Sequence, residues 1–270
     1  MDLFKASWAV IRQDRELLAL PVISAIASLA TIALFAIPVL ALTDFSGASA
    51  SGSVETGPFT YVVLAVAYLV LAFITIFFNS AIVHAANERM SGGDPTVGSA
   101  LAGASGRIGR ILPWAIVSAT VSYTIRQLQE RAGIFGAIFG FLGGLAWSAV
   151  TFLVLPILVI EDIGVVDAVK RSAALLRNAW GEGLAGNVGM GIIGFIAMVP
   201  FLAIGALGLM SGTAAVMVPT LSLAVIGIIA VTVVMSALSI VYQTALYRFA
   251  TSQPVPAFSS ATMEAAFRRR

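Results

Sequence analysis

Three polar residues with the chemistry of a hydrolytic triad lie on one apolar segment. Ser80, His84 and Glu88 recur every four residues, so a helix would place them on one face. Consecutive turns of one helix do not give a nucleophile and its base the geometry of attack, and no oxyanion-hole motif accompanies them. The pattern therefore favours a set of hydrogen-bonding groups at a membrane interface over a catalytic site.

A second set of polar residues lies deeper in the apolar segments. Amides and hydroxyls at such depth form hydrogen bonds between helices or line a path, and the candidates for a polar path are Asn79, Ser118, Ser122 and Gln243. Arg126 and Glu130 continue the helix face of the two serines, and their spacing predicts an ion pair at the outer interface.

The sequence contains little that could hold a metal or a cofactor. It has no cysteine, and His84 is its single histidine, which argues against thiol chemistry and against zinc sites. The adjacent carboxylates Glu161 and Asp162 could attract a cation, but no further ligands flank them, so we expect a solvated helix end. We predict no catalytic residue, no metal and no cofactor, and a protein that is not an enzyme.

These residues belong to a chain that is far more apolar than a soluble domain. Of its 270 residues 59% are hydrophobic and 10% are charged, whereas soluble domains have about 45–50% and about 25%. A bilayer accepts such a surface, and within it the backbone must form helices. We predict one all-α integral-membrane domain over residues 1–270 with six transmembrane helices. Each has about 20 residues or more, except the third. Their ranges are 17–42, 59–86, 111–125, 134–160, 184–208 and 219–247.

Two of these spans have alternatives. The third is short and polar and its apolar part ends at Arg126. It could be a buried helix that continues through Gln127 to Arg131, and the alternative is a re-entrant segment, which would leave five crossings. We favour six, because the distribution of charge requires spans three and four to form a hairpin. The first span is longer than the core of a signal peptide, about 7–15 residues, so we expect it to be retained. Proline residues predict kinks in or near the ends of three spans, at Pro38, Pro156 and Pro200.

The basic residues indicate the orientation. With the N-terminus inside, 13 of the 15 lysines and arginines lie on the inner side, and only Arg126 and Arg131 lie outside. Cytoplasmic loops collect such residues. The bias predicts a multi-pass protein of the inner (plasma) membrane with both termini in the cytoplasm.

An amphipathic segment follows each even-numbered span. These segments, 96–110, 165–180 and 258–270, begin alike, with a small polar residue in Val97–Ala100, Val165–Ala168 and Phe258–Ala261. A fourth, 1–16, precedes the first span. The plan predicts three helical hairpins with interfacial helices on the cytoplasmic side.

The apolar faces of these helices should enter the headgroup region or cover the bundle, and their basic faces should meet anionic headgroups. Candidates for contact with lipid are Trp8, Lys170, Arg171, Arg177 and Trp180. The arginine-rich C-terminus is more typical of a lipid or topology anchor than of a nucleic-acid-binding arm. The predicted partners are therefore membrane lipids and not nucleic acid.

Small residues recur every four positions along the fourth span, at Gly136, Gly140, Gly144 and Ser148. Such a stripe allows another helix to approach closely. Packing within one chain is favoured, and a contact between subunits of a homo-oligomer is the alternative.

Several segments together resemble a known group of proteins. They read NSAIVHAANERMSGGDP over Asn79–Pro95 and WSAVTFLVLPILVIEDIGVVDAVKRSAALLRNAWGEGLAGN over Trp147–Asn187. With the opening FKASWAVIRQDRELLALP, they resemble an uncharacterised family of bacterial and archaeal integral-membrane proteins. The chain is similar, more distantly, to the membrane domain that precedes some glycerophosphodiester phosphodiesterases. The resemblance implies a multi-span fold in a prokaryotic inner membrane, and no activity or functional residue.

The expected function is accordingly non-enzymatic, in transport or in a membrane- or lipid-associated process. The alternatives are a small-solute transporter or channel with a polar path between hairpin repeats and, least favoured, a membrane-embedded enzyme.

Overall fold

Residues 18–44, 55–131, 133–178 and 182–253 are described by the structure, a computed structural model, and all structural statements concern these ranges. They are almost entirely helical. The elements in chain order are α1 Ala19–Leu42, β1 Thr43–Asp44, β2 Glu55–Thr56, α2 Pro58–Met90, α3 Val97–Ser105, α4 Ile108–Arg131, α5 Gly133–Thr151, α6 Val154–Ile160, α7 Val165–Asn178, α8 Glu182–Met210 and α9 Ala214–Ala250.

Six segments of the described ranges are helical, long and apolar enough to cross a bilayer. They are Ala19–Leu42, Pro58–Met90, Ile108–Glu130, Ile138–Ile160, Gly191–Met210 and Ala214–Ala250. The chain is thus a protein with six candidate membrane spans. The interfacial segments 1–16 and 258–270, with Trp8 and Trp180, lie outside the described residues.

The third span is longer than predicted. The helix α4 runs for 24 residues and continues past Arg126 to Arg131, in agreement with a helix that extends beyond the predicted span 111–125. The side chain of Arg126 forms an ion pair with Glu130, Nε to Oε1, at 2.9 Å. Residues four apart lie on adjacent turns, and their pairing stabilises the helix that carries them.

The fourth span is interrupted at Phe152 and Leu153, between α5 and α6. Pro156 lacks the N–H that would bond to the carbonyl group of Phe152, so the regular ladder cannot pass this point. The N–H group of Leu153, at the start of α6 where helical N–H groups have no acceptor in their own helix, donates to Oγ of Ser172 in α7, at 3.2 Å. Ser172 is fully buried, and α7 therefore covers the break and satisfies its backbone.

Consecutive long helices pack on each other in pairs, α1 with α2, α4 with α5 and α8 with α9. The helix α2 also contacts α3, α4, α6 and α9, so it is central to the bundle. Small residues bring α8 and α9 close together: a Cβ atom on Gly205 would lie 3.2 Å from Cβ of Ala224.

Buried side chains concentrate at one end of the bundle, which we call the core end. It comprises the last turns of α2, α6 and α9 with the helices α3 and α7; its larger buried residues include Ile82, Met90, Ile157, Leu158, Leu238 and Tyr242. Large apolar residues towards the opposite end are exposed, for example Leu34 by 67%, Phe59 by 64% and Leu207 by 67%. Exposed apolar surface on this scale marks contact with lipid or with another chain.

The two short helices α3 and α7 each bury two small residues. Ala100 and Ala104 in α3 and Ala168 and Ser172 in α7, each pair four residues apart, are fully buried. The apolar face of α7 packs on α5 and α6 and so covers the bundle. The predicted helix 96–110 is shorter than expected, because α3 ends at Ser105 and α4 begins at Ile108.

Candidate functional site

A buried arginine connects the end of α9 to the end of α2. Arg248 is only 4% exposed. Its Nη1 atom donates to the carbonyl oxygen of Asn87 at 3.2 Å, to Oδ1 of the same residue at 2.8 Å and to Oγ of Ser91 at 2.7 Å. The positive charge lies where α2 ends, and cations are stabilised at the carboxyl ends of helices. The sequence alone indicated Arg248 only as one of many inner-side charges.

A carboxylate that we expected to be solvated is instead in contact with two helices. Glu161 accepts a hydrogen bond from the hydroxyl group of Tyr247 in α9, at 2.9 Å from Oε1. The same oxygen lies 3.3 Å from Nε of Arg171 in α7. Glu161 is 24% exposed, so the expectation of a solvated helix end was wrong for this residue. The contact ties α6, α7 and α9 together.

The neighbouring carboxylate binds two arginines. Asp162 forms ion pairs with Arg107 and with Nε of Arg110, the latter at 3.3 Å. Its φ angle of 55° lies in the left-handed region, which aspartate adopts more readily than most residues. All three side chains are partly exposed. This pairing links the loop after α6 to the start of α4, which are distant in sequence.

The residues of the suggested triad do not bond to one another. The hydroxyl group of Ser80 donates to the carbonyl oxygen of Ile76 at 2.7 Å. Glu88 accepts from Oγ of Ser99 in α3, at 3.1 Å. His84 is half-buried, and its ring contacts Gly103 of α3, where a Cβ atom would overlap it. This face of α2 therefore packs against α3, and among these three residues no nucleophile is paired with a base.

The four residues of the predicted polar path differ in their surroundings. Asn79, Ser118 and Gln243 are half-buried, whereas Ser122 is exposed. The helices that carry the two amides, α2 and α9, pack on each other, and α2 also packs on α4. The path itself stays a prediction.

The small-residue stripe of the fourth span lies partly against α4. Gly136 and Gly140 are buried, Gly144 is half-buried and Ser148 is exposed. A Cβ atom on Gly140 would overlap the side chain of Gln129. These contacts are within one chain, and whether other chains also bind here stays open.

The predicted lipid-contact residues of α7 are exposed. Lys170 and Arg177 lie on the side of the helix opposite its buried face, whereas Arg171 lies beside that face and contacts Glu161. In the described ranges no three histidine, aspartate or glutamate side chains are grouped so that they could hold a metal ion.

Comparison with known proteins identifies the family and nothing closer. No curated protein and no solved structure matches the chain, and the distant likeness to phosphodiesterase membrane domains finds no support among the matches. The match that was found covers residues 59–255, more than half of the chain, and so includes the core end with Arg248, Glu161 and Asp162. The chain belongs to a family of unknown function, DUF6159.

Proposed function

We propose that the chain is a multi-pass protein of the prokaryotic inner membrane, with both termini in the cytoplasm. It has no catalytic activity of its own and acts in transport or in a membrane- or lipid-associated process. The single observation that carries this proposal is the contrast between the two ends of the bundle. One end is packed and bears ionic contacts, and the other exposes large apolar side chains.

The charges support the placement of the core end at the cytoplasmic surface. Arg89, Arg107, Arg110, Arg171 and Arg248 all lie at this end, where α2, α6 and α9 end and α4 begins. Only Arg126 and Arg131 lie at the opposite end of α4. In this orientation the six spans form three hairpins, and α3 and α7 lie at the inner surface.

The helix α7 supports a role next to anionic lipid. Its buried face, with Ala168, Leu175 and Leu176, rests on the bundle, so its cationic side is free to face headgroups. Each lysine or arginine near an anionic surface contributes about 1 kcal/mol of attraction. Lys170, Arg171 and Arg177 therefore form a lipid-facing strip rather than a site for a soluble substrate.

Reporter fusions test the topology directly. A reporter that is active only outside the cytoplasm, fused after Ser49, is expected to be active, and the same reporter after Ser172 is expected to be silent. A cytoplasmic reporter should give the reverse at both positions. Equal signals from the two sites, with either reporter, would contradict the three-hairpin arrangement.

A second candidate function is a small-solute transporter or channel. It is favoured by the half-buried amides Asn79 and Gln243, which lie on two helices that pack together. Buried amides at this depth can line a hydrated path.

The chain has no cysteine, so single-cysteine variants test this candidate without background. A membrane-impermeant maleimide should label Asn79→Cys and Gln243→Cys in sealed vesicles if water reaches them. Val66→Cys, on the exposed apolar surface of α2, is the matched control and should stay unlabelled. Failure of both amide positions to react would exclude the path.

A further inference from the structure

We propose that Arg107 and Arg110 bind the phosphate group of an anionic phospholipid whose acyl chain lies along α4. This inference rests on the proposed membrane placement and names the ligand of the core end. The two arginines flank the start of α4, at the depth where the span meets the headgroup layer. Two exposed apolar side chains that follow Arg110 on the same face of the helix provide the acyl contact.

The arginines carry more positive charge than their protein partner neutralises. Both pair with one carboxylate, Asp162, and their side chains are 34% and 45% exposed. Arg110 contacts Asp162 through Nε, and neither of its Nη groups has a partner among the residues that the structure describes. A guanidinium group binds phosphate oxygens with two parallel N–H bonds, and here the outer edge of Arg110 is available for them.

The apolar contact follows directly from helix geometry. Pro113 and Val117 follow Arg110 by three and seven residues, so they lie on the same face of α4 as Arg110, and both are exposed. From Arg110 to Val117 the helix rises about 10 Å at 1.5 Å per residue, which suits the upper part of an acyl chain. Ile111 and Trp114, on the adjoining side of the same turns, are buried, so the helix holds Arg110 and the two apolar side chains in fixed relation.

Asp162 occupies the place that the lipid phosphate would take next to the arginines. It acts as an internal anion that competes with the headgroup. Its removal should therefore strengthen lipid binding, whereas removal of either arginine should weaken it. General attraction to a charged surface would give the same two signs, so the comparison that identifies a headgroup site is between two arginine variants that remove the same charge at opposite ends of α4.

The experiment uses the full chain in detergent, titrated with phosphatidylglycerol or phosphatidylcholine and analysed by native mass spectrometry. The wild type should bind phosphatidylglycerol more tightly. Arg110→Gln should reduce that preference about fivefold, the effect of one cation at an anionic surface. Arg126→Gln, on the same helix at its other end, is the matched control and should leave it unchanged.

Asp162→Asn should increase the preference for phosphatidylglycerol, and asparagine tolerates the left-handed backbone at this position. Thermal unfolding confirms that each variant is folded. Equal binding of the two lipids, or equal effects of Arg110→Gln and Arg126→Gln, would overturn the site while leaving the reporter-defined topology intact. Displacement of phosphatidylglycerol by millimolar inorganic phosphate would also overturn it, because the site would then bind a free anion.

Discussion

The substitution Arg248→Leu should destabilise the core end more than any exposed charge substitution. Leucine fills part of the buried volume but cannot donate to the carbonyl oxygen and side chain of Asn87 or to Ser91. The carbonyl oxygen of Asn87 keeps its hydrogen bonds from the N–H and hydroxyl groups of Ser91, but Oδ1 of Asn87 and Oγ of Ser91 lose a charged donor, which costs most where water cannot enter. The contact joins two helices that are 161 residues apart at this point, so no local interaction replaces it.

The magnitude follows from the geometry. The Nη1 atom carries two hydrogens for three acceptors, so about two charge-assisted hydrogen bonds are lost, each worth about 1.5–3 kcal/mol. Ser91 is exposed and Asn87 is half-buried, so water compensates for part of this loss. The expected decrease in the free energy of unfolding is about 2–4 kcal/mol, which corresponds to a fall of about 5–15 °C in the unfolding temperature.

Thermal unfolding of the full chain in one detergent, followed by tryptophan fluorescence, measures the effect. The matched control is Arg126→Leu, which removes the same side chain from an ion pair that is 76% exposed on the arginine side. Such an exposed pair contributes little to stability because water screens it, so the control should unfold close to the wild type. If both variants unfold at the same temperature, the buried contact does not stabilise the bundle and the reasoning is refuted.

Three further substitutions probe the packing of the bundle. Gly140→Leu should separate α5 from α4 and lower the unfolding temperature by several degrees. The control Gly143→Leu should not, because there is open space around its Cβ position. Equal effects of the two variants would argue against the close approach of α5 to α4. Gly103→Leu should displace α3 from the histidine ring of α2 and expose the core end to limited proteolysis. The control Gly109→Leu, which also has open space around its Cβ position, should leave the cleavage pattern unchanged. Tyr247→Phe should lower the free energy of unfolding by about 1 kcal/mol through the lost bond to the α6 carboxylate, and an unchanged midpoint in denaturant would contradict that role.

The polar residues that were most conspicuous in the sequence are not those that form the buried and ionic contacts at the core end. Ser80, His84 and Glu88 share a helix face as predicted. However, Ser80 donates to the carbonyl oxygen of Ile76, the ring of His84 contacts Gly103, and Glu88 accepts a hydrogen bond from Ser99. Periodicity predicts which residues share a face, and it does not reveal what lies opposite that face. A better signal was the position of Arg248 within an apolar run at the end of a long helix, because a charge there requires partners.

The number of long apolar helices and the concentration of basic residues at one end could both be predicted from the sequence. Both are properties of contiguous residues, since a helix satisfies its own backbone hydrogen bonds and hydropathy adds up locally. Pro156 likewise indicated where the fourth span would be interrupted. Three contacts could not be predicted in this way: Ser172 accepts from the N–H group of Leu153, Arg248 contacts Asn87, and Asp162 joins two arginines. Each of these contacts connects segments far apart in the chain, so its formation depends on how whole helices pack, which no local pattern encodes.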